Sequence, residues 1–280
     1  KNYLMKKFIP IAKPQIFKSD INLATEAIKK GWNKKHVYYV NKFERSFKEK
    51  ISSRFAIATS SCTGAITLAL SSLKLKKGSE IILSNINWIA TASPIVNLGY
   101  KPVFCDIDQK NWCISTDEIK KKITKNTSAI IITHLYGNLC NIKNIKKILK
   151  KKNIYLIEDA AEALGSKINN KYAGTFGDFG CYSFHASKLI TTGEGGMLVT
   201  NNKRLFEIAK KLSNHGRSSK NYKSYFPDEI GHKFKMTNPQ AALGISQLKR
   251  LDILVKKKRE IFSYYKKKLN QSFFKFNNEE

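Results

Sequence analysis

IEDAAEALGS (157–166), followed by GTFGDFGCYSFHASKLITTGEGGMLVT (174–200), is the stretch whose reading decides the fold. The first half begins as the apolar run Ile154–Glu158 (IYLIE), a buried strand by composition, and Asp159 stands just past its carboxyl end. In the second half Gly174, Gly177, Gly180, Gly193, Gly195 and Gly196 enclose two short strand-like runs, Cys181–Phe184 and Met197–Thr200. Lys188 falls in the loop between them. A carboxylate that can face a ring nitrogen and a lysine that can form a Schiff base are the minimal apparatus for pyridoxal phosphate. Asp159 would keep the pyridine nitrogen protonated, and Lys188 would hold the cofactor and then move protons as a general base. From spacing alone this is one reading among several; the plainer one has Asp159 cap the helix after it, and the pairing with Lys188 favours the cofactor role.

Outward from that stretch, short β-rich runs alternate with helical ones. Phe55–Thr59, Glu80–Ser84, Pro102–Asp106 and Ala129–Thr133 read as strands. The segments between them read as helices: Thr63–Leu73, with Ile66, Leu70 and Leu73 on one face, the apolar Trp88–Leu98, then Thr116–Ile123 and the basic Ile142–Lys151. Asn238 to Leu269 reads as helical and lysine-rich. Continuous apolar strands separated by amphipathic helices predict an α/β fold of three layers, a mostly parallel sheet covered by helices on both faces. In such sheets ligands sit beyond the carboxyl ends of the strands. Ser60–Thr63, Trp88, His134 and Asp159 all fall at those ends, and this recurrence marks a site better than any single residue.

Composition narrows the function classes. The 280 residues carry 51 Lys plus Arg against 21 Asp plus Glu, a formal charge of +30. A basic surface invites a nucleic-acid reading. However, the lysines run the whole length of the chain and only six residues are arginine, the side chain that reads bases best. Lys, Asn and Ile are abundant together, which is the mark of compositional drift, so nucleic acid is not expected as a partner. No apolar run has the roughly 18 residues of a membrane helix, and KNYLMKKFIP lacks the apolar core of a signal peptide. Five irregularly spaced cysteines without a CxxC pair suit a reducing, cytoplasmic setting, and no His/Glu spacing suggests a metal. Met5 is the expected biological start unless the chain is a fragment. GEGG (193–196) does not fit the dinucleotide fingerprint GxGxxG.

The run EDAAEALGS…GTFGDFG…SFHASKLITTGEGGMLVTN resembles the DegT/DnrJ/EryC1/StrS sugar aminotransferases, a branch of the fold-type I pyridoxal-phosphate enzymes. IPIAKPQI, KKGWNKKHVYYVNKFERSF, AIATSSCTGAITLAL, ILSNINWIATASPIVNLGYKPVFCDID, HLYG and IGHKFKMTNPQAALGISQLKRLD extend the likeness in order from Ile9 to Asp252. Among subgroups, the perosamine-synthase-like enzymes are the most similar.

That resemblance implies a role for each matching residue. Lys188 matches the Schiff-base lysine and Asp159 the partner of the pyridine nitrogen. Glu162 would stand near the cofactor's ring hydroxyl and Trp88 would stack on its ring. Cys62 and Thr63 at a helix start would hold its phosphate, where free amides and the helix dipole favour an anion on physical grounds too. Ser183 would add a hydroxyl to the phosphate. His185 is a candidate for touching substrate or only packing, and His215 and Arg217 for reaching substrate or lying in a solvated loop. His134 and Tyr136 are expected to serve packing and local hydrogen bonds. Two departures stand out. Cys62 replaces the glycine of a Ser-Gly-Thr loop, and Lys233 stands where the family sends an asparagine to the phosphate of the neighbouring subunit. The family further implies a homodimer with shared active sites, and amino transfer from an amino acid, glutamate being the donor implied, to a keto group of a nucleoside-diphosphate deoxysugar in polysaccharide biosynthesis. The expected division is a cofactor domain over 1–250 and the start of a small, largely absent C-terminal domain over 251–280. A non-catalytic relative that binds sugar nucleotide or nucleic acid, and a pyridoxal-phosphate sugar dehydratase, are the alternatives; a subgroup with His in place of the lysine dehydrates, so Lys188 favours amino transfer.

Overall fold

A computed structural model describes residue 10 and residues 12–218 and 226–276; Met5 and the isoleucines Ile9 and Ile11 of the IPIAKPQI stretch lie outside the described residues. A seven-stranded sheet is its frame: β1 (Phe55–Thr59), β2 (Glu80–Ser84), β3 (Lys101–Cys105), β4 (Thr127–Thr133), β5 (Tyr155–Asp159), β8 (Phe179–Ser183) and β9 (Gly196–Thr200) in the order β1-β9-β8-β5-β4-β2-β3. A two-stranded ribbon, β6 (Lys167–Ile168) with β7 (Lys171–Tyr172), stands apart. Pairing is parallel from β8 to β3, and β9 is antiparallel to both β8 and β1. Every strand of the large sheet except β9 therefore runs the same way. This reversal has a consequence for the site: the loop joining β8 to β9, which carries Lys188, is held over the edge where β1, β2, β4 and β5 all end.

Alternate residues along each strand feed opposite faces, which is why uninterrupted apolar runs are needed. Ile57, Leu83, Ile131, Ile157, Cys181 and Leu198 pack on one face against α3 (Cys62–Ser72), α4 (Ile89–Asn97) and α7 (Lys203–Leu212). On the other face Ile82, Ile130, Ile132 and Leu156 meet α5 (Thr116–Lys122) and α6 (Ile142–Leu149), while Ala58, Tyr182, Met197 and Val199 lie in the cluster of α2 (Tyr38–Ile51) and α8 (Asn238–Leu248). The three-layer α/β/α expectation holds. Tyr39, Phe43, Phe47 and Ile51 recur at helical spacing on α2 and are all buried. Gly244 of α8 admits the Phe43 ring, since a Cβ there would stand 2.6 Å from Phe43 Cζ.

The helical pattern over 238–269 is not one helix. It breaks at Lys249–Arg250 into α8 and α9 (Leu251–Lys268), although no Gly or Pro marks the place. The cause is tertiary. Asp20 of α1 (Lys18–Lys30) is fully buried, and Arg250 turns out of helical geometry to meet it with two bonds, Nη1 to Oδ1 at 2.9 Å and Nη2 to Oδ2 at 2.8 Å. Burial raises the Asp20 carboxyl, but Arg250, the Phe17 amide and Ser246 outweigh it and leave it below its ordinary value. No helix among the described residues is long and apolar enough to cross a membrane, and all five cysteines are free thiols.

Candidate active site

The carboxyl edge of the sheet gathers the polar residues that follow each strand. Asp159 ends β5 opposite Thr133 of β4 and Cys181 of β8. It is buried; Thr91 Oγ1 donates to its Oδ2 at 2.7 Å, and the Ala161 amide donates to its Oδ1 at 3.1 Å. Burial pushes its carboxyl above the ordinary value, opposed by Thr91, the Ala161 amide and the nearby Lys188. A buried carboxylate with two donors among the described residues and a cation beside it is under-compensated, and a protonated ring nitrogen is the kind of group that would complete it.

Lys188 comes from the β8–β9 loop. Its Nζ donates to Glu162 Oε1 at 3.3 Å, and the Tyr136 amide donates to Glu162 Oε2 at 2.9 Å. Tyr136 makes that contact from a left-handed backbone, φ 53°, in the 3₁₀ turn Leu135–Gly137. Trp88 stands at the start of α4 with 77% of its surface exposed, and its carbonyl accepts from the amide of Thr91, the residue that meets Asp159, at 3.0 Å.

The loop after β1 meets the requirements of an anion cradle. Ser61 caps α3 by accepting from the Gly64 amide at 3.0 Å. The amides of Cys62 and Thr63 donate to no protein atom among the described residues. Gly196, paired with both Thr59 and Ser183, brings β9 so close that a Cβ there would lie 2.4 Å from the Ser61 carbonyl oxygen and 2.6 Å from the Cys62 nitrogen. Cys62 opens α3 in ordinary helical backbone, so the substitution of glycine by cysteine demands no left-handed conformation. Its thiol is pushed well up by burial and by the Asp159 carboxylate. Ser183 is buried at the end of β8, where its Oγ accepts from the His185 amide at 3.3 Å.

Other sequence candidates lie further out. His185 is half exposed, with Nδ1 3.0 Å from Ser187 Oγ and Nε2 3.7 Å from Glu194. His215 is exposed with φ 60°, and Arg217 reaches Asn214 Oδ1 at 3.5 Å. Lys233 is exposed in the segment that runs beside β1, where the Ser60 amide donates to Phe234 O at 2.7 Å and Thr59 bridges Lys235. The Lys235 amine is held below its ordinary value by burial and by the nearby Lys233 and Arg217. These three cations lie together, close to the phosphate-loop strand.

Sequence reasoning did not single out Glu158 and Asn87, which brace this edge. Glu158, fully buried, accepts from the amides of Gly174 at 2.8 Å, Phe176 at 2.6 Å and Gly177 at 2.5 Å. It also meets His134 Nε2 at 2.9 Å, while His134 Nδ1 accepts from the Cys140 amide at 3.2 Å, so the ring proton sits on Nε2. His134 thus serves local hydrogen bonding, as its sequence context suggested. Asn87 Oδ1 accepts from the Trp88 amide at 2.8 Å and its Nδ2 donates to Thr133 Oγ1 at 2.6 Å. Among the described residues no group of three or more His, Cys, Asp or Glu is placed to hold a metal ion.

Comparisons with known proteins converge on one group. Residues 14–277 match the model of the DegT/DnrJ/EryC1/StrS aminotransferase family. The GDP-perosamine synthase of Escherichia coli O157:H7 is 39% identical over 264 residues, covering 94% of this chain and 72% of that protein. An aminotransferase from Psychrobacter cryohalolentis superposes with a TM-score of 0.81 at 31% identity, over 87% of this chain, which spans 64% of that one. The GDP-4-keto-6-deoxy-D-mannose-3-dehydratase of Escherichia coli with bound hydrated PLP superposes with a TM-score of 0.85 at 28% identity, over 92% of this chain and 72% of that one.

Proposed function

This chain belongs to the DegT/DnrJ/EryC1/StrS aminotransferase family, and from that premise we propose that it transfers an amino group from an amino acid, glutamate first, to a keto carbon of a nucleoside-diphosphate deoxysugar. Its cofactor is pyridoxal 5′-phosphate, which supplies an aldehyde that condenses with amines and a ring that accepts electrons. The observation that carries the reading is the pair formed by buried Asp159 and Lys188 at one sheet edge, beside the open amides of Cys62 and Thr63. Asp159 supplies the negative charge for the ring nitrogen from a site where water does not screen it. Trp88 offers its indole face to the ring, and the Cys62 and Thr63 amides with Ser183 take the phosphate. Lys188 Nζ would hold the cofactor at rest and, once freed, would serve as the base that takes up and returns a proton; Glu162, anchored by the Tyr136 amide, keeps that amine over the site. His185, His215 and Arg217 are assigned to the sugar-nucleotide side.

Amino transfer is favoured over dehydration because Lys188 supplies a fixed amine. The test is a single turnover with glutamate, followed by a panel of 4-keto-6-deoxy sugar nucleotides and mass spectrometry. One 2-oxoglutarate per site and an amino sugar are expected; a deoxygenated sugar that has lost water would make the chain a dehydratase instead. A protein that binds DNA in moderate salt and no pyridoxal phosphate would return it to the non-catalytic alternative.

The proposal includes a homodimer in which Lys233 of one subunit reaches the phosphate of the other, supported by the clustering of Lys233, Lys235 and Arg217 near the phosphate loop. Lys233→Ala should weaken cofactor binding about tenfold, the loss of one charge-assisted hydrogen bond, read by equilibrium dialysis. An unchanged affinity removes Lys233 from the phosphate site. Residues 1–250 are taken as the cofactor domain and 251–280 as the start of a second, a division supported by the helix break at Lys249–Arg250.

A further inference from the structure

Thr91 lies on the first turn of α4 and is 1% exposed. Its Oγ1 is 2.7 Å from Asp159 Oδ2 and 3.2 Å from Asn87 Oδ1. A hydroxyl has one proton to give. The charged acceptor is closer and binds a donor about twice as strongly as a neutral one, so that proton goes to Asp159. The carboxylate's other oxygen is served by the Ala161 amide at 3.1 Å, so Thr91 is one of two donors to a buried charge among the described residues. A valine would fill the same space at no cost to packing; what threonine adds is the hydroxyl.

Asn87 ties this contact to the indole. Its Oδ1 takes the Trp88 amide at 2.8 Å and its Nδ2 reaches Thr133 Oγ1 at 2.6 Å, and Thr133 is the cross-strand partner of Asp159. The start of α4 is therefore pinned to β4 through Asn87 and to β5 through Thr91. One short segment, 87–91, sets both the face that Trp88 presents and the orientation of the Asp159 carboxylate.

We propose that Thr91 is a positioning residue whose hydroxyl keeps the Asp159 carboxylate ionised and in one orientation for the cofactor's ring nitrogen, with Asn87 locking that contact to Trp88. The inference rests on the cofactor reading given under the proposed function. The titratable groups facing Asp159 are Lys188 from the β8–β9 loop, His134 after β4, Cys62 of α3 and Cys181 of β8. Lys188 and His134 both oppose the rise of the Asp159 carboxyl, and Lys188 is itself engaged by Glu162, so among the described residues the Thr91 hydroxyl and the Ala161 amide are the groups that meet the charge directly.

The test uses the whole chain and added pyridoxal phosphate, read by visible absorption and circular dichroism. Thr91→Val should raise the dissociation constant about tenfold or more, the effect of losing a hydrogen bond to a charged group. Without that donor the carboxylate protonates more readily, so the fall in affinity on acidification should begin at a higher pH than in the wild type. Thr91→Ser, which keeps the hydroxyl, should restore both. Asn87→Ala, at a partly exposed position, should reduce the visible circular dichroism of bound cofactor while absorbance at saturation persists, because the ring loses its fixed setting. Thr91→Val with wild-type affinity and acid limb overturns the inference, as does Thr91→Ser behaving like Thr91→Val. Should Thr91→Val fail to fold, the visible circular dichroism of Asn87→Ala decides: an unchanged signal overturns the locking role. A wild type that binds no pyridoxal phosphate overturns the cofactor reading and this inference together, and is recognised before any variant is made.

Discussion

Lys188→Ala is expected to be a folded protein to which borohydride fixes no pyridoxal phosphate, with amino transfer reduced about 10⁴-fold, the upper range for loss of a general base. Retention of the fold follows from how little Lys188 does structurally. It is partly exposed and its ammonium meets Glu162 at 3.3 Å, an ion pair of a kind that contributes about 1 kcal/mol or less to stability. The chemical effect follows from what has no substitute, because among the described residues no other amine is placed beside Asp159. Borohydride treatment of the coloured wild type should fix the cofactor to one lysine of 45, and peptide mapping should find it at Lys188. A cofactor that borohydride still fixes to Lys188→Ala, or a label on another lysine of the wild type, would overturn the assignment.

The strands were legible because burial on both faces demands continuous apolar runs. Phe55–Thr59 and Glu80–Ser84 agree with the structure to the residue, and Ala129–Thr133 extends only to Thr127. Strand direction was not legible. The run Met197–Thr200 reads the same whichever way it points, and its antiparallel setting depends on the β8–β9 loop folding back over the sheet edge. The break at Arg250 was hidden for a related reason: it answers Asp20, which is 230 residues away in the chain. At the site, the motif placed Lys188 and Asp159 together, but the residues that tune them were invisible. Asn87 and Thr91 are ordinary loop and helix-start residue types, and only the approach of α4 to β5 gives the Thr91 hydroxyl a carboxylate to meet. The +30 charge, prominent in composition, bears on the site through the few cations that the chain path gathers at Lys188 and around Lys235; the basic surface as a whole can attract an anionic cofactor and sugar nucleotide but selects neither.

Two adjacent carboxylates, Glu158 and Asp159, should separate stability from function. They are neighbours on β5, so their side chains point to opposite faces of the sheet. Glu158 receives four donors, the amides of Gly174, Phe176 and Gly177 and the His134 ring. Glu158→Ala strands all four in the interior and should cost at least about 4 kcal/mol, in the range for breaking a buried network, lowering the melting temperature of the cofactor-free protein by ~10 °C. Glu158→Gln should also destabilise, since its amide group would turn donors towards donors at one end. Asp159 is the reverse case. Its carboxyl is raised by burial, so the folded chain disfavours the charge, and the penalty grows as pH rises from the unfolded value towards the folded one. Asp159→Asn removes that penalty and should leave the cofactor-free melting temperature at neutral pH unchanged or higher, while amino transfer falls about a thousandfold through loss of an arranged electrostatic contact. Thermal melts of both variants without cofactor, alongside turnover with it, test the division. A destabilised Asp159→Asn would mean that the carboxylate holds the fold, and an Asp159→Asn enzyme of near wild-type rate would remove it from the chemistry.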